Sequence, residues 1–166
     1  MKFLTLILCT ALSYAVAAPA EKLAGFELSD QHARARTYRF PKARVTVMTV
    51  ADHQGSAQLP AWIERVYRRF GKRVDIDGVA DVSMIPGPFQ GMLREAFRKQ
   101  LTYSVMLDWN GSVVDQFAPT KGLANIYVID RQGRVVKRMT GPVSDAAMRD
   151  LSQAITQALA DLPPTK

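Results

Sequence analysis

The sequence predicts an α/β domain with one mixed central sheet, helices on both faces of that sheet and an N-terminal β-hairpin. Three observations carry this prediction. Residues 45–51 form a nearly continuous β-branched run, which is typical of a buried central strand. Residues 59–70 then place apolar side chains at helical spacing, and segments of strand and helix character continue to alternate along the chain. This alternation is the pattern of a sheet covered by helices.

A single domain is expected. The 166 residues are 48% hydrophobic and 22% charged, which suits one sizeable core and excludes a disordered chain. Neither an internal repeat nor a linker interrupts the sequence. The predicted boundaries are therefore 1–20 for a signal peptide and 21–166 for the domain.

The elements of the first half follow from local patterns. Residues 26–31 and 37–40 alternate in polarity, as the two strands of a short hairpin do. In the helix after the central strand, Ser56 can cap the start, Pro60 falls in the tolerated first turn and Gly71 stands where a helix stops. The apolar stripe of this helix, which is expected to lie in the core, comprises Leu59, Trp62, Ile63, Val66, Tyr67 and Phe70.

The second half continues the same alternation. Residues 74–80 are predicted to form a strand, and 84–88 a rigid loop before a second helix. Ser144 is predicted to cap the last helix. Trp109 lies in a turn and is the one aromatic residue expected to be exposed. The stripe of the second helix comprises Phe89, Met92, Leu93, Ala96 and Phe97, and further strands are predicted at 103–107, 113–117, 125–130 and 134–139.

The N-terminus has the layout of an export signal. Lys2 precedes an apolar stretch at residues 3–12, and small residues in an A-x-A pattern then predict cleavage after Ala18 or Ala20. An uncleaved membrane anchor is the alternative, but the apolar run is shorter than the roughly 20 residues of a spanning helix. We expect an exported protein, periplasmic or secreted. The only cysteine, Cys9, lies inside the predicted signal, so removal of the signal would leave a mature chain without a thiol.

The chain is basic, with 22 Lys and Arg against 15 Asp and Glu and a formal net charge of +7. Basic clusters occur at residues 34–44 and 65–73. Such a balance can indicate a polyanionic partner or an anionic membrane surface, but charged runs on helices are more often solvated faces. The second cluster falls opposite the apolar stripe of its helix, which accounts for it without a partner.

Four local phrases extend over nearly the whole mature chain. They are Phe26-x-Leu28-x-Asp30-Gln31, the strand, loop and helix at 45–70, Tyr103-x-Val-Met-Leu-Asp108-x-Asn-Gly111, and Gly122-Leu-Ala-Asn-Ile-Tyr-Val-Ile-Asp130 with Arg-x-Gly-Arg-Val after it. In this order they resemble the thioredoxin-like superfamily, specifically its redoxin and peroxiredoxin-like (AhpC/TSA-like) branch. The chain is also similar to the small exported YtfJ-type branch, whose members likewise carry Gly-Ser or Ser-Ser in place of thiols after the first strand.

The resemblance implies that the redox residues are replaced here. When Pro60 is matched to the family's helix proline, Asp52 and Gly55 stand at the positions of the two redox cysteines, and Ala124 stands at that of the cis-proline. Disulfide exchange and peroxide reduction both need a thiolate, which neither replacement supplies. A cis bond before a non-proline residue costs about 3 kcal/mol, so the Leu123–Ala124 bond is expected to be trans. The departures favour lost redox chemistry, with no cofactor.

Asp52 and His53 are the remaining candidates for chemistry at this loop. A carboxylate beside an imidazole can act as a general base. The alternative is that Asp52 caps the loop or helix that follows it while His53 is simply exposed. No metal is expected, because only His32 and His53 are available and no H-x-x-x-H spacing occurs. No phosphate-binding glycine motif occurs either.

We therefore expect a non-catalytic binding or adaptor module that uses the former active-site edge, where the resemblance implies that redox-active relatives hold an extended substrate backbone. This edge comprises residues 52–58, 84–88 and 121–125. Gly55 and Ala124 are expected at its rim. A protein or peptide partner of the cell envelope is expected, without nucleic acid and with membrane contact at most peripheral. The alternatives are a non-thiol enzyme using Asp52 and His53, and a basic envelope protein that binds anionic surfaces. The expected binding residues are Asp52, His53, Gln54, Gly55, Ala124 and Asn125.

Overall fold

The computed structural model describes residues 21–161, and the predicted signal peptide lies outside the described residues. The strands are β1 Phe26–Asp30, β2 Ala35–Tyr38, β3 Thr46–Ala51, β4 Asp75–Asp81, β5 Met106–Asp108, β6 Asn125–Ile129 and β7 Val135–Thr140. The helices are α1 His53–Ser56, α2 Leu59–Phe70, α3 Gln90–Gln100, α4 Val114–Phe117 and α5 Asp145–Ala160. Short 3-10 turns stand at Gly71–Arg73 and Gly87–Phe89.

All seven strands form one mixed sheet in the order β2-β1-β5-β4-β3-β6-β7. β4 is parallel to both β3 and β5, whereas β6 is antiparallel to β3 and β7 is antiparallel to β6. β1 pairs antiparallel with β2 and with β5, which confirms the predicted N-terminal hairpin. The centre of the sheet is β3, whose six residues are all buried, as its β-branched run predicts.

Helices cover both faces of the sheet, as predicted, but the three long helices share one face. Ile76 and Ala80 point to the same face of β4 because they are four residues apart. Ile76 packs in the cluster that includes α2 and α5, and Ala80 packs in the cluster that includes α3. The opposite face is covered by α4, through Val114 and Phe117, and by the N-terminal segment at Leu23.

The predicted strand at 113–117 is wrong, because this segment forms α4. Val113, Val114 and Phe117 are buried, and their spacing fits one helical face as well as it fits a strand. The carboxylate of Asp108 decides between the two, since Oδ2 accepts the N–H groups of Val113 and Val114 at 2.8 Å each. The predicted strand at 103–107 is also shorter and begins at Met106.

The cap predicted for the first long helix is corrected as well. Asp52, not Ser56, provides an N-cap, and it caps the separate short helix α1 by accepting the N–H of Gly55. The Ser56 hydroxyl donates to the carbonyl of His53. The predictions for Pro60 in the first turn of α2 and for Gly71 at its end are confirmed. Ser144 caps α5 by accepting the N–H of Ala147 at 3.1 Å.

The predicted burial is wrong for four side chains. Tyr67, Phe89 and Met92 were expected in apolar stripes, but each is more than half exposed. Trp109 was expected to be exposed, yet it is partly buried against the cluster of Val82, Val105 and Leu107. Trp62 is 1% exposed, as expected, and its indole N–H donates to the carbonyl of Gly141.

Candidate functional site

Two loops meet at the end of the sheet where β3 finishes. Val50 pairs with Asn125, so the residues after β3 and the residues before β6 leave the sheet at the same edge. The contact between the loops is direct, because the N–H of Gly122 donates to Oδ2 of Asp52 at 2.7 Å. The sequence-based expectation that these two loops approach one another is confirmed.

Each oxygen of the Asp52 carboxylate accepts a backbone N–H group. Oδ1 accepts the N–H of Gly55 at 2.8 Å while Oδ2 accepts the N–H of Gly122. Partial burial alone would raise the pKa of Asp52, but these N–H groups hold the pKa below the ordinary carboxyl value. A carboxylate held in this way is a poor general base, and it makes no hydrogen bond with the imidazole of His53 among the contacts of residues 21–161. The capping role that the sequence offered as the alternative is the one observed.

Gly55 is buried, not at the rim where it was expected. A Cβ atom added at this position would lie 2.2 Å from the carbonyl oxygen of Leu123 and 2.4 Å from its carbonyl carbon. Real Cβ atoms essentially never approach backbone so closely, so glycine is the residue that lets α1 pack directly on the loop before β6. The sequence could not reveal this, because the contact joins residues 68 positions apart.

Ala124 is also buried, with 0% of its surface exposed, so the second rim expectation is wrong. Its N–H donates to the side-chain oxygen of Gln58 at 3.2 Å, and its carbonyl accepts the N–H of Gly141 at 2.8 Å. Phe40–Pro41 is the only cis peptide bond in residues 21–161, so the Leu123–Ala124 bond is trans, as predicted. Both backbone groups of Ala124 are therefore used within the protein.

Asn125 shapes the loop from within. It is 2% exposed, and its amide nitrogen donates to the carbonyls of Thr120 and Leu123 at 3.0 and 2.9 Å. Its amide oxygen accepts the N–H of Thr120 at 2.9 Å. This network holds the loop that Asp52 also contacts, so Asn125 positions the backbone and is not accessible to a partner.

Only part of the predicted edge faces solvent. His53 and Gln54 are exposed on α1. β4 lies beside β3, with Ala80 paired to Ala51, so the residues that follow β4 emerge beside Asp52. In the segment that continues from the end of β4, Met84 is 85% exposed, Phe89 52% and Met92 65%. We call Met84, Phe89 and Met92 the apolar surface. Phe89 and Met92 were missed as site residues because their helical spacing placed them in the predicted core.

The described residues offer little other chemistry. Residues 21–161 contain no cysteine, and within them no group of three or more His, Cys, Asp or Glu side chains is placed to hold a metal ion. No helix in this part of the chain is long and apolar enough to cross a membrane. The edge is therefore a network of hydrogen bonds and exposed apolar side chains, without a thiolate.

Comparison with solved structures identifies the fold. The chain is similar to a thiol:disulfide interchange protein of the thioredoxin family from Chlorobium tepidum, at a TM-score of 0.60 and 15% identity over 87% of this chain and 99% of that one. A peroxidoxin, BcpB from Mycobacterium tuberculosis, gives a TM-score of 0.53 at 19% identity over 87% and 97%. The exposed lipoprotein thioredoxin of Streptococcus pneumoniae gives 0.58 at 19% over 84% and 100%.

These likenesses and the strand order define a thioredoxin-like fold with redoxin and peroxiredoxin-like neighbours. Identities of this size establish the fold alone. No family model and no curated protein matches the sequence. The structural neighbours include thiol:disulfide interchange proteins, whereas this chain carries Asp52 and Gly55 where the resemblance places the redox cysteines.

Proposed function

We propose that this protein is an exported, non-catalytic, thioredoxin-like binding module of the YtfJ type, which takes a protein or peptide partner at the exposed part of its former active-site edge. The observation that carries the proposal is the apolar surface. Three large apolar side chains more than half exposed on one short segment are unusual for a surface without a partner, and methionine is favoured where a surface adapts to varied partners.

The loss of redox chemistry supports a binding role. A thiolate is the attacking atom in disulfide exchange and in peroxide reduction, and residues 21–161 contain none. The only cysteine, Cys9, falls in the proposed signal peptide. Export itself is supported by the A-x-A pattern before residue 21 and by likeness to an exposed lipoprotein thioredoxin.

Hydrogen bonds within the edge exclude part of it as the place where a partner binds. The Gly122 and Ala124 N–H groups, which an extended chain laid across the edge would use, already donate to Asp52 and Gln58. Gly55, Ala124 and Asn125 are buried. The binding part of the edge is therefore His53, Gln54 and the apolar surface.

The non-thiol enzyme is disfavoured by the same contacts. Both oxygens of Asp52 accept backbone N–H groups, which hold the pKa of this carboxylate low and weaken it as a base, and within residues 21–161 no hydrogen bond joins it to the His53 ring. A basic protein that binds anionic surfaces would depend on charge and would bind less at high salt. Binding through the apolar surface would persist at high salt. This difference distinguishes the proposed binding module from a basic protein that binds anionic surfaces.

The experiment is a binding titration with an unfolded, thiol-free probe, reduced and carboxymethylated α-lactalbumin, followed by fluorescence anisotropy at low and at high salt. The double variant Met84→Ser with Met92→Ser should weaken binding by about tenfold, since exposed anchors of this size contribute about 1 kcal/mol or more. The control is Val136→Ser, which changes an apolar side chain 40% exposed elsewhere, on β7. Equal binding by all three proteins, or binding that high salt abolishes, would refute the proposal.

A further inference from the structure

A recess lies at the opposite end of β4 from the former active-site edge. It is a cavity of ≈ 430 Å³ at the amino end of the strand. It is bounded by Arg36 and Tyr38 of β2, by Tyr67 of α2, by Lys72 in the 3-10 turn after α2, and by residues 75–77 of β4. Side chains on both faces of β4 line it, so the cavity lies along the edge of the strand and not over one face.

The edge of β4 is unpaired at this place. β4 pairs with β3 from Asp75 to Ala80, but with β5 only from Val79 onward. The N–H of Asp75 donates toward β3, to the carbonyl of Val45 at 2.9 Å, so the backbone groups of Ile76 and Gly78 point away from β3. Within residues 21–161, the Ile76 N–H, the Ile76 carbonyl and the Gly78 N–H have no hydrogen-bond partner.

The unpaired backbone N–H and C=O groups of Ile76 and Gly78 are strong hydrogen-bonding sites, and both residues are half-buried. Three groups in a row, two donors and one acceptor, are what a short extended chain pairs with when it adds to a sheet edge. The backbone therefore provides one half of a binding site for an extended peptide.

The side chains around the cavity provide the other half. Asp77 accepts hydrogen bonds from the Tyr38 hydroxyl and from Arg36, the latter at 3.0 Å. Burial, and then the neighbouring Asp77, raises the pKa of Tyr38, so the hydroxyl stays a donor to this carboxylate. Lys42 lies 3.4 Å from Asp75. Both carboxylates of the cavity are therefore already paired.

The cavity has more cations than its own carboxylates can match. Arg36, Lys42, Arg44 and Lys72 face two aspartates. Arg44 lies at 3.5 Å from Asp75 with its side chain 55% exposed, and Lys72 forms no ion pair among the described residues. Tyr67 lines the cavity with 62% of its surface exposed, beside these charges. The surplus charge favours an anionic partner.

We propose that this cavity, together with the unpaired β4 edge that continues from it to Gly78, binds an extended acidic peptide segment, which adds as a short strand along Ile76–Gly78 while its carboxylate side chains contact Lys72 and Arg44. The site is separate from the apolar surface, because it lies at the other end of the sheet. It requires no closure of the fold, since the unpaired edge and the cations are already in place.

The test uses a capped hexapeptide of alternating Glu and Val, titrated against the protein by fluorescence anisotropy, with hydrogen exchange measured by NMR. Two control peptides are used. The first alternates Lys and Val and so reverses the charge, and the second alternates Glu and Val but has alternate backbone amides N-methylated. Two protein variants complete the set. Lys72→Glu reverses an exposed charge at the cavity, and Lys121→Glu reverses an exposed charge at the opposite end of the sheet.

The Glu and Val peptide should bind and should protect the Ile76 and Gly78 amides from exchange. N-methylation and Lys72→Glu should each weaken binding by about tenfold, whereas Lys121→Glu should leave it within about twofold. The double variant at Met84 and Met92 should bind this peptide normally, so failure of the proposed function at the apolar surface would not count against this site.

Three results would overturn the inference. The first is no measurable binding of the Glu and Val peptide. The second is binding without protection of the Ile76 and Gly78 amides, or binding that N-methylation does not weaken, either of which would reduce the interaction to charge alone. The third is protection of these amides that grows with protein concentration in the absence of peptide, which would make a second copy of the chain the occupant.

Discussion

The former active-site edge has two halves, which differ in whether their side chains are bonded and buried within the protein or exposed to solvent. In the closed half, defined by Asp52, Gly55, Gln58 and residues 122–125, polar groups bond to one another and the small residues are buried. In the open half, defined by Met84, Phe89 and Met92, large apolar side chains face solvent. The closed half is therefore part of the folded core, while the open half consists of apolar side chains that the fold does not bury.

This difference separates stability from binding. Changes in the closed half should lower the free energy of unfolding, because they remove packed or hydrogen-bonded groups. Changes in the open half should leave that free energy nearly unchanged and alter binding instead.

The largest effect is expected from Gly55→Ala. The added Cβ would fall 2.2 Å from the backbone carbonyl of Leu123, which cannot yield as a flexible side chain can. We expect a loss of about 3 kcal/mol in the free energy of unfolding, measured by urea denaturation. The matched control is Gly91→Ala in α3, where the added Cβ meets no atom within 4 Å. The control should gain about 0.5–1 kcal/mol from helix propensity.

Should Gly55→Ala prove as stable as the wild type, the two loops would not be in contact and the closed half would be open. The control guards against an effect of alanine as such. Opposite signs for two identical substitutions would therefore locate the cost in the packing between α1 and Leu123.

A smaller loss is expected from Asp52→Ala. This change removes the cap of α1 and the hydrogen bond that holds Gly122, and it leaves two N–H groups without their acceptor. We expect a loss of about 2 kcal/mol, measured by denaturation. His53→Ala, the adjacent exposed residue, should change stability by less than about 0.5 kcal/mol. A hydrolytic activity abolished by both changes at unaltered stability would instead support the non-thiol enzyme.

The same carboxylate predicts how stability depends on pH. The folded-state pKa of Asp52 is lowered, so its contribution is fully present above the unfolded-state value of about 3.9 and is lost as the pH falls through the folded-state value. Urea midpoints measured from neutral pH downward should fall less steeply in Asp52→Asn than in the wild type over this acidic range. Parallel curves for the two proteins would mean that Asp52 is not held by Gly55 and Gly122.

How much of this was predictable depends on whether a contact is local. The strand at 45–51, the stop at Gly71 and the cap at Ser144 follow from neighbours in sequence, and the structure confirms them. The segment 113–117 was ambiguous because its apolar spacing fits both periods, and the Asp108 carboxylate decided it. The burial of Gly55 and Ala124 depends on Leu123 and Gln58, which are distant in sequence, so no local pattern could indicate it.

The smallest effect on stability is expected in the open half, from Met84→Ser combined with Phe89→Ser. Both side chains are more than half exposed, so their removal takes little apolar area out of the core, and we expect less than about 0.5 kcal/mol of change in denaturation. Binding of the unfolded probe should nevertheless fall by about tenfold, as in the methionine pair. Leu93→Ser, on the face of α3 that packs against Val82 and Leu107, should do the reverse: it should cost about 2 kcal/mol or more while leaving the exposed side chains in place. If the exposed pair destabilises the fold as much as Leu93→Ser does, these side chains belong to the core, and the contrast between the two halves fails.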